Sequence, residues 1–117
     1  MTIPVLLDTA WQLREYFAGK RTRFHLHIAM QGTPFQKRVW NALLEIPYGE
    51  RRTYRDIATR IGKRQATRAV GAAIGRNPLS IIAPCHRVIG SSGNLTGFAG
   101  GLPAKARLLE TEDRALR

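Results

Sequence analysis

A chain of 117 residues, 44% hydrophobic and 23% charged, has the size and make-up of one soluble globular domain with room for a single core. Nineteen Lys and Arg against eight Asp and Glu leave it at +11, which points to a polyanionic partner; a merely solubilising surface would mix the two signs more evenly. No apolar run is long enough to span a membrane, no secretory leader pattern opens the chain, and one cysteine excludes an internal disulfide, so a cytoplasmic setting is expected.

Residues 1–8 read as a loosely held arm. Thr9, with Gln12 three residues on, has the pattern of a capping box; Leu13, Tyr16 and Phe17 supply an apolar side and Gly19 a stop. Residues 23–28 alternate and predict a short strand with His25 and His27 on one face. With no cysteine nearby and no third ligand, that pair reads as a half-exposed strand face, and neither a metal nor any other cofactor is implied. Thr33 caps the next helix, with Pro34 at its first position and Gln36 closing the box. Phe35, Val39, Trp40, Leu43 and Ile46 recur at helical spacing as its core face, and Ile46-Pro47 ends it.

Thr53 and Asp56 open a further helix that turns Tyr54, Ile57, Ala58 and Ile61 inward and stops at Gly62. A connection of three or four residues leads to a second helix over 66–74, ended by Gly75, and two short helices joined so tightly predict a helix-turn-helix. The outer side of the second helix is small (Ala66, Thr67, Ala69, Gly71, Ala72) with Arg68 standing out. Few of these side chains reach base edges in a deep major groove, but small residues let a helix backbone come close to its partner. After Asn77-Pro78 an apolar, strand-like run leads to Cys85. The glycine- and serine-rich stretch 88–101 predicts a turn and loop, and 102–112 a last helix that buries Leu108 and Leu109, with the final five residues frayed. The fold class predicted is α+β, predominantly helical.

The stretch Ile81-Ile82-Ala83-Pro84-Cys85-His86-Arg87-Val88-Ile89-Gly90 holds the single cysteine between a proline and a histidine, with apolar runs on both sides. The thiolate is the reactive form, and an ordinary thiol, with a pKa of about 8.5, is only a few per cent ionised at neutral pH. Making it mostly thiolate takes about 3 kcal/mol of preferential interaction with the anion. A histidine made basic by a carboxylate supplies that, although neighbouring side chains in an extended segment point to opposite faces. On these residues alone Cys85 is either a nucleophile or an inert packing thiol.

Pro84-Cys85-His86-Arg87-Val88, preceded by Gly75-Arg76-Asn77-Pro78 and followed by Gly90-Ser91-Ser92-Gly93 and Gly100-Gly101-Leu102, resembles the active-site region of the O6-alkylguanine-DNA alkyltransferases. The likeness continues upstream through Gly32-Thr33-Pro34-Phe35-Gln36, Val39-Trp40, Ile46-Pro47-Tyr48-Gly49 and Thr67-Arg68-Ala69-Val70-Gly71, and so covers about residues 10 to 112. It implies a helix-turn-helix, winged-helix-like alkyltransferase domain over 31–117. Residues 1–30 would be an arm resembling the tail of the family's N-terminal domain, most of which is absent; the structural zinc that some members carry there has no equivalent ligand set here.

The resemblance also implies the chemistry: irreversible, once-only transfer of an alkyl group from O6-alkylguanine, and as a further substrate O4-alkylthymine, in duplex DNA to Cys85, after the nucleotide is flipped out through the minor groove. By this likeness His86 takes the thiol proton through water and Glu112 orients His86. Asn77 is a hinge, and Tyr54 or Lys105 helps neutralise the departing guanine oxygen. Arg68 enters the stack in place of the flipped base, with Tyr54, Thr67, Ala69, Gly71 and Arg76 against DNA. Ile74, Pro84, Leu95 and Phe98 line the alkyl pocket, Phe98 standing where most relatives resemble a tyrosine. The partner is double-stranded DNA carrying the lesion; a monomer is implied, with cooperative loading left open.

Each of these residues also has a plainer reading: Arg68 as a phosphate contact or solvated charge, Tyr54 as core, Asn77 as a turn residue before proline, Glu112 as an exposed charge near a helix end. For the whole chain the alternatives are a lesion sensor that binds without repairing, against which Cys85 itself argues, a winged-helix regulator with an incidental cysteine, and a Cys-His-Glu hydrolase, which the basic surface does little to explain.

Overall fold

The computed structural model describes residues 4–26, 29–93 and 101–116. In chain order it contains α1 (Val5–Phe17), α2 (Pro34–Leu44), β1 (Arg52–Thr53), α3 (Tyr54–Arg60), α4 (Thr67–Gly75), a 3₁₀ turn (Cys85–Arg87), β2 (Val88–Ile89) and α5 (Leu102–Ala115). None of these helices is long and apolar enough to cross a membrane.

The centre of the molecule is α2 packed on α3 and α4. The predicted box at Thr33 is formed: the Gln36 amide donates to Thr33 Oγ1 at 3.1 Å and the Thr33 amide to Gln36 Oε1 at 3.0 Å. From that start the 3.6-residue period buries Val39, Trp40 and Leu43. The Trp40 indole donates to the Ala73 carbonyl at 2.9 Å, which satisfies a buried N–H and pins α2 to α4. α2 stops at Leu44, two residues before the predicted end, and the Glu45 and Ile46 amides bond back to the Ala42 and Leu43 carbonyls as the helix tightens.

The second box is also present, with the Asp56 amide 3.0 Å from Thr53 Oγ1 and the Thr53 amide 2.8 Å from Asp56 Oδ2. α3 ends in a Schellman motif: the Lys63 amide donates to the Ala58 carbonyl at 2.9 Å and the Gly62 amide to the Thr59 carbonyl at 3.0 Å. Gly62 sits at φ +76, where any side chain is costly. This reversal stretches the connection to α4 over residues 61–66, longer than predicted. α3 packs on α4 and shares with it a core that includes Ile57, Ala58, Val70, Ala73 and Ile74, giving the predicted helix-turn-helix and α+β, mostly helical class.

The N-terminal predictions fare differently. α1 begins at Val5, not Thr9, behind Pro4 at φ −55 and with Asp8 in its first turn, where a carboxylate favours the positive helix end. Thr9 therefore lies inside the helix, its hydroxyl donating back to the Val5 carbonyl at 2.7 Å. Gln12, freed from any cap, bonds the backbone of His25 in both directions: its Nε2 donates to the His25 carbonyl at 3.1 Å and its Oε1 accepts the His25 amide at 2.8 Å. A side-chain amide thus stands in for a neighbouring strand, and residues 23–26 form none. His27 and the end of the predicted strand lie outside the described residues. Tyr16 is buried as predicted, whereas Phe17 is exposed.

The run 79–84 is a series of turns, not a strand. Pro78 and Pro84 remove backbone donors at both of its ends, and the Ala83 amide closes back on the Leu79 carbonyl at 2.9 Å. Among the described residues strand pairing is confined to β1 and β2, parallel, with Arg52 opposite Val88 and Thr53 opposite Ile89. α5 continues three residues past Glu112, so the tail to Ala115 is helical where fraying was predicted.

Candidate active site

Pro84, at φ −79 and ψ 68, is the centre of an inverse γ-turn closed by the Cys85 amide on the Ala83 carbonyl at 2.7 Å. The Arg87 amide then bonds the Pro84 carbonyl at 3.0 Å and starts the 3₁₀ turn. With about three residues per turn, Cys85, His86 and Arg87 point in three directions rather than alternating across a strand. Four residues upstream Ile81 has φ 77, a costly conformation for a β-branched residue. Asn77 braces this segment: its Nδ2 donates to the Ala83 carbonyl at 2.8 Å and its Oδ1 accepts the Leu79 amide at 3.0 Å. The second bond is an Asx turn, so Asn77 is both the turn residue and the tie between the end of α4 and the thiol. Cys85 is 7% exposed, with its Sγ 3.9 Å from Ser80 Oγ.

α5 sets Glu112 beneath this turn, 1% exposed, and the reading of Glu112 as a solvated helix-end charge is wrong. Its Oε2 lies 2.6 Å from His86 Nε2 and accepts the Tyr16 hydroxyl at 2.7 Å and Arg87 Nη2 at 2.9 Å; its Oε1 accepts Arg87 Nε at 2.9 Å and the Gly49 amide at 3.2 Å. Arg87 also gives Nη1 to the Ile46 carbonyl at 2.7 Å and stacks 5.5 Å above the Tyr48 ring. Burial alone would raise the carboxyl's pKa, but the hydrogen bonds from His86 and Arg87 outweigh it and bring the group to about 2.

Glu112 is therefore ionised at neutral pH, and His86 Nε2 must carry the proton that faces it. Burial lowers the histidine's pKa and Glu112 only partly offsets this, so the ring is neutral and Nδ1 holds the free lone pair. Among the described residues nothing hydrogen-bonds Nδ1. Lys105, seven residues before Glu112 on the same face of α5, is fully buried. Burial lowers its pKa, while the charge of an ionised Cys85 raises it.

Sequence reasoning missed Arg87, Tyr16 and Gly49 as parts of this centre. Tyr16 read as one of an apolar stripe and Arg87 as one more base. The available signal was an arginine inside an apolar run, since a buried guanidinium requires a carboxylate partner.

On the outer side of α4, Arg68, Ala69 and Ala72 are exposed and Thr67 and Gly71 half-buried, while Arg76 is exposed at its end. Tyr54 packs against the core beside Gly71, where an added Cβ would lie 3.8 Å from the tyrosine ring. Ile74 and Pro84 are buried, Ile74 in the same cluster as Cys85. Leu95 and Phe98 lie outside the described residues. An open groove of about 760 Å³ bordered by Glu45, Arg52, Arg55 and Arg60 involves none of these groups.

The lowered pKa values of His86 and Glu112 make the fold acid-sensitive below neutral pH. Each group contributes stability that is whole above its ordinary value and is lost as pH falls through the folded one. Stability should decline first below about pH 6.5 through His86, then from 4.5 towards 2 through Glu112. Thermal melts followed by circular dichroism from pH 7 to pH 3 should show a steadily falling midpoint; a flat profile would contradict the buried pair.

The family described as 6-O-methylguanine DNA methyltransferase, DNA binding domain, matches residues 34–114. A methylated-DNA–protein-cysteine methyltransferase of Methanosarcina barkeri is 59% identical over 110 residues, which cover 94% of this chain and 70% of the relative. The protein of that name in Mycobacterium bovis is 58% identical over 101 residues, 86% of this chain; there the chain spans only 61% of the relative's length. A crystal structure of Mycobacterium tuberculosis OGT in complex with DNA superimposes with a TM-score of 0.91 at 54% identity, covering 93% of this chain and 68% of that one.

Proposed function

The chain belongs to the 6-O-methylguanine DNA methyltransferase family, and from that membership we propose that it repairs DNA by moving the alkyl group of O6-alkylguanine onto Cys85. The observation that carries this reading is the neutral His86, held by ionised Glu112 at 2.6 Å and next in the chain to the single thiol. Taking the Cys85 proton on Nδ1, through a water, turns the ring into an imidazolium that the buried carboxylate stabilises, so the ion pair forms where it is already solvated by Tyr16, Arg87 and Gly49.

The lesion's carbon lies inside the stacked duplex, out of reach of a nearly buried thiol, so the nucleotide must be turned out at a cost of a few kcal/mol. The small outer face of α4 suits a close approach to the minor groove, where base readout is degenerate, and in this reading Arg68, exposed on the same helix, occupies the vacated stack. The thiolate then attacks the alkyl carbon in line with the guanine oxygen. A sulfur–carbon bond forms, the carbon–oxygen bond breaks, and the oxygen is neutralised by a proton from Lys105 or Tyr54. A thioether offers water no carbonyl to attack, so each molecule acts once and needs no cofactor.

Incubation with a duplex containing O6-methylguanine should add one methyl group to the intact protein, located at Cys85 by peptide mass spectrometry. Cys85→Ser should take up none while still binding the duplex. Tight binding with no adduct on the wild-type chain would instead make it a lesion sensor, and repeated turnover of substrate a hydrolase.

A further inference from the structure

We infer that Tyr16, on α1 and far from Cys85 in sequence, is a positioning residue for alkyl transfer: its hydroxyl shares Glu112 Oε2 with His86 and so sets how strongly the carboxylate draws the imidazole proton. The inference rests on the alkyl-transfer reading above. The geometry is specific. Tyr16 OH and His86 Nε2 lie 2.7 and 2.6 Å from the same oxygen, and Tyr16, His86 and Glu112 are all essentially sealed from solvent. Two donors to one oxygen compete for its electron density, so each weakens the other's bond.

The tyrosine is also fixed in place. Its ring packs against Phe24 at 5.6 Å and edge-on to Tyr48 at 6.0 Å between centroids, which leaves the hydroxyl one direction to point. Its pKa is raised, by burial first and by the bond to Glu112 next, so it remains a donor across the working range of pH. The other charged or titratable groups that face Tyr16, His86 and Glu112 are Tyr48 from the turn after α2, Arg87 from the 3₁₀ turn, and Lys105 from α5. Of these Arg87 shares both Glu112 oxygens and bears a permanent charge, so Tyr16 is the group whose hydroxyl can be removed without leaving a buried charge unpaired.

Removing that hydroxyl leaves Oε2 a stronger acceptor for His86 Nε2–H. The imidazolium is then favoured, and His86 stays protonated, and useless as a base, up to a higher pH. The test is Tyr16→Phe in the full chain, with single-turnover alkylation by free O6-benzylguanine followed by intact mass from pH 5 to 9. The acid limb of the pH–rate profile should move up by at least about half a pH unit, and the His86 ring should show the same displacement in an NMR titration. An unmoved limb and an unmoved titration, whatever happens to the plateau rate, would overturn the inference. So would outright unfolding of Tyr16→Phe, because the hydroxyl would then be chiefly a stability element. Failure of the wild-type chain to be alkylated would sink the alkyl-transfer reading itself and is seen separately in the same experiment.

Discussion

Glu112→Ala should leave the protein barely folded. The substitution strands the Arg87 guanidinium, the Tyr16 hydroxyl and the Gly49 amide around an empty centre, and breaking one side of a buried ion pair costs about 3–5 kcal/mol. Against a typical domain stability of about 5–15 kcal/mol that is a large share, and for a chain of this size it corresponds to roughly 10–25 °C in thermal midpoint. Circular dichroism melts at pH 7 would measure it. Two further variants separate the causes. Glu112→Gln keeps the shape without the charge and should stay folded yet react at least about tenfold more slowly, since an amide stabilises the imidazolium poorly. Adding Arg87→Met to Glu112→Ala should restore part of the lost stability, because the uncompensated charge is gone. A Glu112→Ala midpoint within about 3 °C of the wild type would mean that the centre is far less coupled than its hydrogen bonds imply.

Arg68→Ala should slow repair of O6-methylguanine in duplex DNA by about 30- to 100-fold while leaving reaction with free O6-benzylguanine within about twofold. Unstacking a base costs a few kcal/mol, and a side chain that fills the vacated stack returns about 2–2.7 kcal/mol of it, which sets the size of the effect. Free guanine derivatives need no extrusion. Arg68 is exposed on α4 and makes no ion pair with any described residue, so its loss should not disturb the core. The two substrates, compared by rapid quench and intact mass, distinguish a flipping role from a phosphate contact. A phosphate contact alone would chiefly weaken binding and lower the salt slope by about one. Equal slowing with both substrates would remove Arg68 from base extrusion.

Much of the helical scaffold was legible because its signals are local. The boxes at Thr33 and Thr53 join residues three apart, the α2 stripe repeats within the helix itself, and the Gly62 stop is a single-residue conformational need. The errors fell where a distant group replaced the local partner that the pattern presupposed. Gln12 has the spacing of half a capping box, but its amide is engaged by the backbone of His25. The run 79–84 has strand-like composition, but the Asn77 side chain and two prolines hold it in turns.

The candidate site divides along the same line. Cys85 and His86 are adjacent in the chain, so the pair is written in the sequence although their side chains leave the turn in different directions, and the order of separated motifs carries the family likeness by itself. That Glu112 would be buried against His86 followed only from the family likeness, for by its own neighbours it is an ordinary charge on a helix. Arg87 was marked only by its place inside an apolar run, and Tyr16 by nothing in its surroundings.

Residue type and order alone determined the strong positive charge, the single thiol with its histidine neighbour, and the helix pair with a small outer face, because charge, chain order and helical period are properties of the chain itself. Tertiary structure alone decided that Tyr16, Gly49, Arg87 and His86 converge on one carboxylate, bringing residue 16 to residue 112. The physical reason is that a buried charge must gather its hydrogen-bond donors from whichever elements packing brings within 3 Å or so, and sequence spacing does not encode that gathering.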